Sequence, residues 1–378
     1  MHKTEPLTEA GRLMTICNSC RYCEGLCAVF PAMELRRDFA GGDLNYIANL
    51  CHGCGACYAD CQFSPPHEFD VNVPKTLAKV RADSWQAYAW PASLRPLFER
   101  NGLVIAALAA VSVAAFLLGF VAWHDRDALW ASDGRFYRLM PHGWMAGLFG
   151  AASLYAALAM VMGFRNFWLD IGRARLERRD KTSIMKAVGD ILTLRYLDGG
   201  GVGCMNENET PDDRRRLFHH FAFYGFMLCF AATTAGTLFH YFLNMPAPYK
   251  LYQLPKILGT LGGISLTIGA LGLLHARRKR DPKLTDESRR GMDMAFIVIL
   301  LAVAVSGLIL MLVRQTPALA IALALHLGTV FAFFLSMPYG RFVHGLYRAG
   351  ALLRYSMEQR RQHSLGPAIS EPQNDTHR

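Results

Sequence analysis

Six long apolar segments constrain the fold of this chain more than any other feature. Each is close to the ~20 residues that a helix needs to cross about 30 Å of hydrocarbon. Lipid offers no hydrogen-bond partners to the backbone, so segments of this kind cross a membrane as helices. The sequence therefore predicts a mainly α protein with a six-span membrane domain over residues 102–357. The predicted spans are 102–123, 143–163, 219–243, 257–275, 293–313 and 319–337.

Charge is scarce and unevenly placed. Only 19% of the 378 residues are charged and 52% are hydrophobic, which excludes a disordered chain, a collagen and a plain soluble enzyme. Six crossings put both termini on one side, and 34 of the 40 lysines and arginines fall on that side, many in basic loops at 164–218 and 276–292. By the positive-inside rule this side is cytoplasmic. We expect the net charge of +10 to set topology rather than to bind nucleic acid.

The remaining segments divide the chain further. Residues 1–80 are expected to form a soluble domain, 81–101 a linker and 358–378 a polar tail that is disordered after Ser364. The first residues, MHKTEPLTEAGRLM, lack the long apolar core of a signal peptide. We therefore expect the N-terminal domain to remain in the cytoplasm, where thiols stay reduced.

Eight of the ten cysteines form two copies of one motif, C-x2-C-x2-C-x3-C. This is the spacing of two-cluster ferredoxins, in which the fourth cysteine of each run binds the other cluster. A proline stands four residues after each motif, displaced from its usual place next to the fourth cysteine. The sequence predicts a two-cluster, ferredoxin-like domain of the α-helical type. The first [4Fe–4S] cluster takes Cys17, Cys20, Cys23 and Cys61, and the second takes Cys51, Cys54, Cys57 and Cys27.

Two zinc sites or disulfides are the alternatives for these cysteines. Zinc sites separate their ligand pairs by longer spacings, and a reducing cytoplasm disfavours disulfides. Gly53 suits a tight loop in which backbone amides approach sulfur, while His52 is expected to face solvent. Cys204 and Cys229 stand alone, and we interpret both as structural.

Histidines within the spans predict haem b, because imidazoles from two facing helices can fill both axial positions of the iron. Two bound imidazoles leave no open position for oxygen, which suits electron transfer. We expect His240 in the third span to meet His326 in the sixth toward the outer side. At the cytoplasmic side, His344 is expected to meet His219 or His220. Two haems follow from these pairs.

Other histidines compete for these roles. His275 is the main competitor for the cytoplasmic haem, and we interpret it, His124 and His142 as interfacial. The alternative for the histidines proposed as haem ligands is that they pack within the bundle and form ordinary hydrogen bonds. His326 and His344 share a face only if the helix continues past the Pro338–Gly340 segment.

A glycine run, GGGVG at 199–203, lacks the strand and helix flanks of a nucleotide-binding loop, so we interpret it as a flexible loop element. The chain also shows no internal repeat and no acid–base pair for organic catalysis, so no catalytic residue is predicted.

Four segments carry a family resemblance over about residues 13–357. The order NLCHGCGACYADCQFSPPHEF, YLDGGGVGC, HHFAFYGFMLCFA and LALHLGTVFAFFLSMPYGRFVHGLYR resembles the CitB/TcuB family, the tricarballylate (citrate) utilisation protein B. In its pattern of histidines within membrane helices, the membrane half is similar to the γ subunit of respiratory nitrate reductase. That subunit carries two bis-histidine haems. The resemblance carries over all eight motif cysteines and the five histidines, without settling which of His219 and His220 binds.

The resemblance implies an electron-transfer subunit in a bacterial inner membrane rather than a stand-alone catalyst. Such a subunit reoxidises a partner FAD-dependent tricarballylate dehydrogenase and passes electrons through two [4Fe–4S] clusters and haem b to quinone. Two other functions stay open. One is the membrane subunit of a heterodisulfide-reductase-like complex, and the other is a redox sensor or transporter with structural clusters. A transporter would favour polar residues at mid-membrane and broken-helix repeats, and the spans are nearly free of acidic residues.

Overall fold

The structure, a computed structural model, describes residues 4–172, 181–201, 203–208 and 210–364. The described part is mainly α, as predicted, and its β structure is one short antiparallel hairpin. The hairpin pairs β1 (Cys204–Met205) with β2 (Pro211–Asp212). Most of the predicted polar tail lies outside the described residues, since the last helix ends at Ser364.

The N-terminal domain is a small helical assembly. Its elements are α1 (Glu5–Cys20), α2 (Val29–Glu34), α3 (Gly41–Leu50), α4 (Ala56–Ala59), α5 (Val73–Tyr88) and a 3-10 helix (Ala92–Phe98). Helix α5 crosses the boundary predicted at residue 80, and the segment predicted as a linker continues it. Trp85 in this segment is 1% exposed, and its Nε1 atom donates to the Asn49 side chain. The second half of α5 mixes polar with apolar residues, so the sequence pattern did not indicate that this segment packs in the domain.

Among the described residues, six helices are long and apolar enough to cross a membrane, which agrees with the predicted number. They are α6 (Asn101–Trp123), α9 (His142–Asp170), α11 (Arg214–Phe242), α12 (Leu254–Lys279), α13 (Arg290–Val313) and α14 (Leu319–Ser336). Short helices lie between them: α7 (Arg126–Leu129), α8 (Phe136–Leu139), α10 (Lys181–Leu192) and 3-10 turns at Arg195–Asp198, Pro282–Leu284 and Glu287–Arg289.

Small residues bring α11 and α12 into backbone contact. A Cβ atom at Gly225 would lie 2.5 Å from the Leu266 backbone nitrogen, and one at Gly269 would lie 2.3 Å from that of Ala222. Membrane helices associate through such close packing because lipid provides no hydrophobic driving force between them. The third and fourth spans therefore form a tight pair.

The N-terminal domain and the membrane helices share one core at one end of the bundle. At the end of α9, Asp170 accepts hydrogen bonds from Tyr88 (2.6 Å) and Asn45 (2.7 Å) of the N-terminal domain. The sixth span ends in 3-10 turns at Met337–Tyr339 and Arg341–Val343, after which α15 (His344–Ser364) returns along the N-terminal domain. These contacts fix the cysteine domain against the ends of the spans.

Helix α15 is held against the cysteine domain by a buried ionic network. Glu358 accepts hydrogen bonds from Arg36 (2.7 Å) and from the Tyr46 hydroxyl (3.0 Å). On its own helix, Glu358 also accepts from Arg354, which lies one turn earlier (2.9 Å). Charge-assisted hydrogen bonds of this kind are about twice as strong as neutral ones. The chain that leaves the last span is thereby anchored on the domain that opens the sequence.

Candidate functional site

The first set of cysteines lines a cavity of about 220 Å³ at the end of α1. Cys17 and Cys20 lie on the last turn of this helix, and Arg21 ends it in a left-handed conformation. Burial, and then the neighbouring thiols of Cys23, Cys61 and Cys20, raises the pKa of Cys17 to about 12. The structure therefore brings together the four residues that the sequence assigns to the first cluster.

The second set lies deeper. Burial, and then the neighbouring Cys54 thiol, raises the pKa of Cys27. For Cys54, burial and the neighbouring Cys51 thiol together raise the pKa to about 11. Cys57 has its pKa raised by burial and by Cys54, Cys27 and Cys51 in turn. The four predicted ligands of the second cluster are thus neighbours.

Cys57 connects the two sets. It also lines the cavity of the first set, and the Cys23 thiol contributes to its raised pKa. No three His, Cys, Asp or Glu side chains in the described ranges converge closely enough to hold one metal ion. A [4Fe–4S] cluster makes a different demand, because it spreads four irons over four separate thiolates. Two neighbouring groups of buried thiols are compatible with iron–sulfur clusters.

Arginines from four elements hold the loop that carries Cys51. Arg81 on α5 and Arg348 on α15 donate to the carbonyl oxygen of Cys51, at 2.6 and 2.7 Å. Arg215 on α11 donates to the carbonyls of His52 (3.0 Å) and Gly53 (3.2 Å). The Gly53 carbonyl also accepts from Arg280, just after α12, at 2.7 Å. Sequence reasoning missed these residues, because basic residues near membrane helices ordinarily report topology.

His52 does not face solvent as expected. It is 8% exposed, and burial together with the charges of Arg348 and Arg215 lowers its pKa well below the usual value. The physical reason is the membrane domain, whose arginines cover the loop from the side that an isolated ferredoxin-like domain would leave open.

His219 and His344 meet at the same end of the bundle, as predicted. Their ring centroids are 6.1 Å apart, with an angle of 70° between the planes. The buried Nδ1 atom of His219 has no hydrogen-bond partner among the described residues. His344 shares a hydrogen bond between its Nδ1 atom and the Arg341 carbonyl, which leaves Nε2 as the free ring nitrogen. Burial and the charges of Arg341 and Arg348 lower the pKa of His344 well below its usual value, so it is neutral.

These two imidazoles fit haem iron. Iron binds neutral imidazole, and a ligating histidine ordinarily anchors its second ring nitrogen on a carbonyl, as His344 does. His220 points elsewhere and stacks on Tyr224, with ring centroids 6.0 Å apart. The helix does not continue past Pro338. Instead, two 3-10 turns change the direction of the chain before His344, and this change brings His344 to His219.

The outer histidines are arranged differently from the prediction. His240 stacks on His142 with centroids 3.8 Å apart, and its buried Nδ1 atom has no hydrogen-bond partner within the described chain. His326 shares a 3.0 Å hydrogen bond with Ser306 and lies against Gly307. The predicted meeting of His240 with His326 is not among the ring contacts of the described residues. Sequence reasoning took His142 as interfacial, because it stands at a helix end.

Two further histidines occupy ordinary positions. His124, after the first span, shares a 2.8 Å hydrogen bond with the Leu139 carbonyl. His275 is exposed and lines a small cavity with Arg215 and Phe218. Neither lies in a ring pair with His344 in the part of the chain that the structure describes.

The glycine run covers the second set of cysteines. A Cβ at Gly199 would lie 3.2 Å from the Cys54 sulfur, and one at Gly200 would lie 1.9 Å from the Leu26 carbonyl oxygen. Both glycines have positive φ, which other residues adopt at a cost. Cys204 follows, buried, with its thiol donating to the Leu197 carbonyl at 3.1 Å. The glycines at 199–201 therefore form a lid that fits closely over the second set, and they are not merely a flexible element.

Exposed aromatic residues stand beside the first set. Tyr22 and Phe63 line its cavity, and the rings of Phe63, His67 and Phe69 contact one another with centroids 4.9 to 5.4 Å apart. Tyr22 is 73% exposed and Phe69 40%. Phe69 and His67 belong to the sequence PPHEF at 65–69.

Comparison with known proteins agrees with this arrangement. The family model of citrate utilization protein B matches residues 96–365, and the model of that protein's Fer4-like domain matches residues 10–87. A relative from Escherichia coli, named citrate utilization protein B, is 44% identical over 366 residues, which are 97% of this chain and 96% of that protein. No solved structure matches the chain. By both measures, the chain belongs to the citrate utilization protein B family, with a Fer4-like domain at its N-terminus.

Proposed function

We propose that this chain is a membrane electron-transfer protein in citrate or tricarballylate utilisation. It reoxidises a partner FAD-dependent tricarballylate dehydrogenase and passes the electrons, by way of two [4Fe–4S] clusters and b haems, to quinone. The observation that carries the proposal is the meeting of His219 and His344 directly beside the loop of Cys51. When bound, the clusters and haems supply one-electron transfer, and the protein supplies binding, orientation and electrostatics.

The cysteines would hold the clusters in the two sets described above. Cys17, Cys20, Cys23 and Cys61 hold the first cluster, and Cys27, Cys51, Cys54 and Cys57 hold the second. The convergence of buried thiols supports this role, because iron supplies the positive charge that a buried thiolate requires. The backbone at Gly199 lies against the Cys54 sulfur and would cover this side of the second set.

His219 and His344 would hold the cytoplasmic haem. The unpartnered Nδ1 atom of His219 supports this role, since a buried polar atom without a partner costs about 1–3 kcal/mol. His240 and His326 remain the proposed ligands of an outer haem. The structure adds His142 as a competitor, because its ring lies on that of His240.

The aromatic patch beside the first cavity, formed by Tyr22, Phe63, His67 and Phe69, is the proposed docking surface for the flavoprotein. Exposed aromatic side chains are enriched at protein interfaces, where they bury a large area at little cost in entropy. Docking there would place the reduced flavin beside the cavity of Cys17 and Cys20.

The topology belongs to the same proposal. With both termini in the cytoplasm of a bacterial inner membrane, the cysteine domain meets a soluble flavoprotein while the spans meet quinone. The order of electron transfer follows from this arrangement. The thiols lie in the domain that meets the flavoprotein, and the histidines lie in the helices that meet quinone.

Reduction by the flavoprotein tests this function. Purified full-length protein is mixed under anaerobic conditions with the flavoprotein and tricarballylate, and haem reduction is followed optically. We expect reduction in the native protein, and its loss in Cys20→Ala while dithionite still reduces the haem. Equal rates of flavoprotein-driven reduction in the two proteins would contradict the proposed path through the first cluster.

A further inference from the structure

One aspartate, Asp60, lines the cavity of the first cysteine set, whereas arginines hold the loop of the second. We propose that Arg215, Arg280 and Arg348 raise the reduction potential of the second cluster above that of the first, and so make it the cluster from which electrons enter the membrane domain. The inference rests on the proposed function, because it takes both clusters as bound. It adds the direction of transfer and the residues that set it.

The three guanidinium groups converge on three consecutive residues. Arg348 donates to the carbonyl oxygen of Cys51 at 2.7 Å, while Arg215 and Arg280 both donate to that of Gly53, at 3.2 and 2.7 Å. Each comes from a different element of the membrane half: the start of α11, the end of α12 and the first turns of α15. None of the three forms a salt bridge with a carboxylate in the described part of the chain.

Arg215 and Arg348 interact electrostatically with the thiols of Cys54 and Cys51, whereas Arg280 shares its charge between this loop and the carboxylate of Asp293. Burial and the charge of Arg215 lower the pKa of Arg280 to about 9. This pKa is still above neutral pH, so the guanidinium stays protonated. Reduction adds one negative charge to a cluster, so nearby positive charge stabilises the reduced form. The effect is large in a partly buried site, where the effective dielectric is far below that of water.

The first set has the opposite environment. Among the residues that line its cavity, Asp60 is charged and no lysine or arginine occurs. Negative charge beside a cluster disfavours the extra electron. The first cluster is thus built to give up an electron and the second to accept that same electron.

A redox titration followed by electron paramagnetic resonance tests this inference on the full-length protein. The signal that Cys54→Ala removes identifies the second cluster. In Arg215→Gln and Arg348→Gln, we expect its midpoint potential to move to more negative values while that of the first cluster stays unchanged. Arg215→Lys and Arg348→Lys keep the charge and should restore most of the native potential, which a purely structural role for the side chain would not explain.

Two further variants complete the experiment. Arg289→Gln is the matched control, because Arg289 also donates to a carbonyl at the same domain boundary, that of Phe98 at 3.1 Å, but far along the chain from the cysteines. It should move neither potential. Asp60→Asn should move the first cluster to more positive values, and this variant decides the question if a glutamine variant fails to assemble its cluster.

The outcomes separate this inference from the function on which it rests. Two cluster signals whose midpoint potentials are unchanged in every arginine variant would overturn the inference and leave the electron-transfer function standing. A native second cluster with the lower potential would also overturn it. Protein that carries no cluster signal at all would refute the proposed function itself.

Discussion

Arg348 donates a 2.7 Å hydrogen bond to the carbonyl oxygen of Cys51. Arg348 lies one helical turn after His344. Helix α15 therefore carries a proposed haem ligand and also binds the loop of Cys51, a proposed cluster ligand. Arg215 repeats this relationship, since it lies one turn before His219 and donates to the carbonyl of His52 at 3.0 Å. The cysteine loop and the histidine pair are therefore fixed relative to each other by the same two helices.

The assignment of Cys54 predicts a selective loss. Cys54→Ala should remove one of two cluster signals in electron paramagnetic resonance and leave the other, because each set supplies four ligands to one cluster. Cys204→Ala is the matched control: this cysteine is buried near Cys54 but lies outside both motifs. Survival of both signals in Cys54→Ala would show that the ligand assignment is wrong.

The adjacent histidines of α11 should behave differently. His219→Ala is expected to remove one b haem, whereas His220→Ala should keep it, because the ring of His220 stacks on Tyr224 and that of His219 faces His344. Haem per protein, measured as the pyridine haemochrome, checks this. Equal haem content in the two variants would count against the proposed pair.

Neighbouring glycines in the lid offer a test of its fit. Both Gly200 and Gly201 have positive φ, so alanine costs about 1–2 kcal/mol of backbone strain at either position. At Gly200 the new Cβ also lies 1.9 Å from the Leu26 carbonyl, beside Cys27, whereas at Gly201 it meets nothing within 4 Å. Gly200→Ala should therefore lower the iron content and Gly201→Ala should retain it. Similar iron content in both variants would argue against a close-fitting lid.

The docking surface can be tested with surface aromatics. The double variant Tyr22→Ser and Phe69→Ser should slow reduction by the flavoprotein about tenfold or more, since each lost interface anchor costs roughly 1–2 kcal/mol. Cluster and haem content should not change. Tyr252→Ser, at an equally exposed tyrosine (72%) on the opposite predicted side, is the control. An unaltered rate in the double variant would exclude this surface.

Reporter fusions test the topology. Green fluorescent protein fused after residue 378 should fluoresce, because the C-terminus is expected in the cytoplasm. Alkaline phosphatase inserted in the 244–256 loop should be active, since that loop is expected outside. The reverse pattern would invert the orientation and place the cysteine domain away from cytoplasmic flavoproteins.

Much of the architecture follows from local sequence pattern. The six spans and the grouping of the cysteines depend on apolar length and on spacing, which are properties of short segments. The meeting of His344 with His219 or His220 was expected from the antiparallel third and sixth spans, although the helix between His326 and His344 is broken.

What the sequence did not reveal depends on contacts between distant segments. The burial of His52 requires Arg215 and Arg348, which lie far along the chain, and no local pattern distinguishes these arginines from those that set topology. The stacking of His142 on His240 likewise depends on how the second and third spans pack, which hydropathy does not encode.

The reduced-minus-oxidised optical spectrum of the purified, fully reconstituted protein tests the electron-transfer account most directly. Haem between the histidines and clusters between the cysteines should give sharp b-type haem bands over a broad iron–sulfur bleaching. A spectrum from iron-containing protein that lacks any porphyrin band would contradict the account.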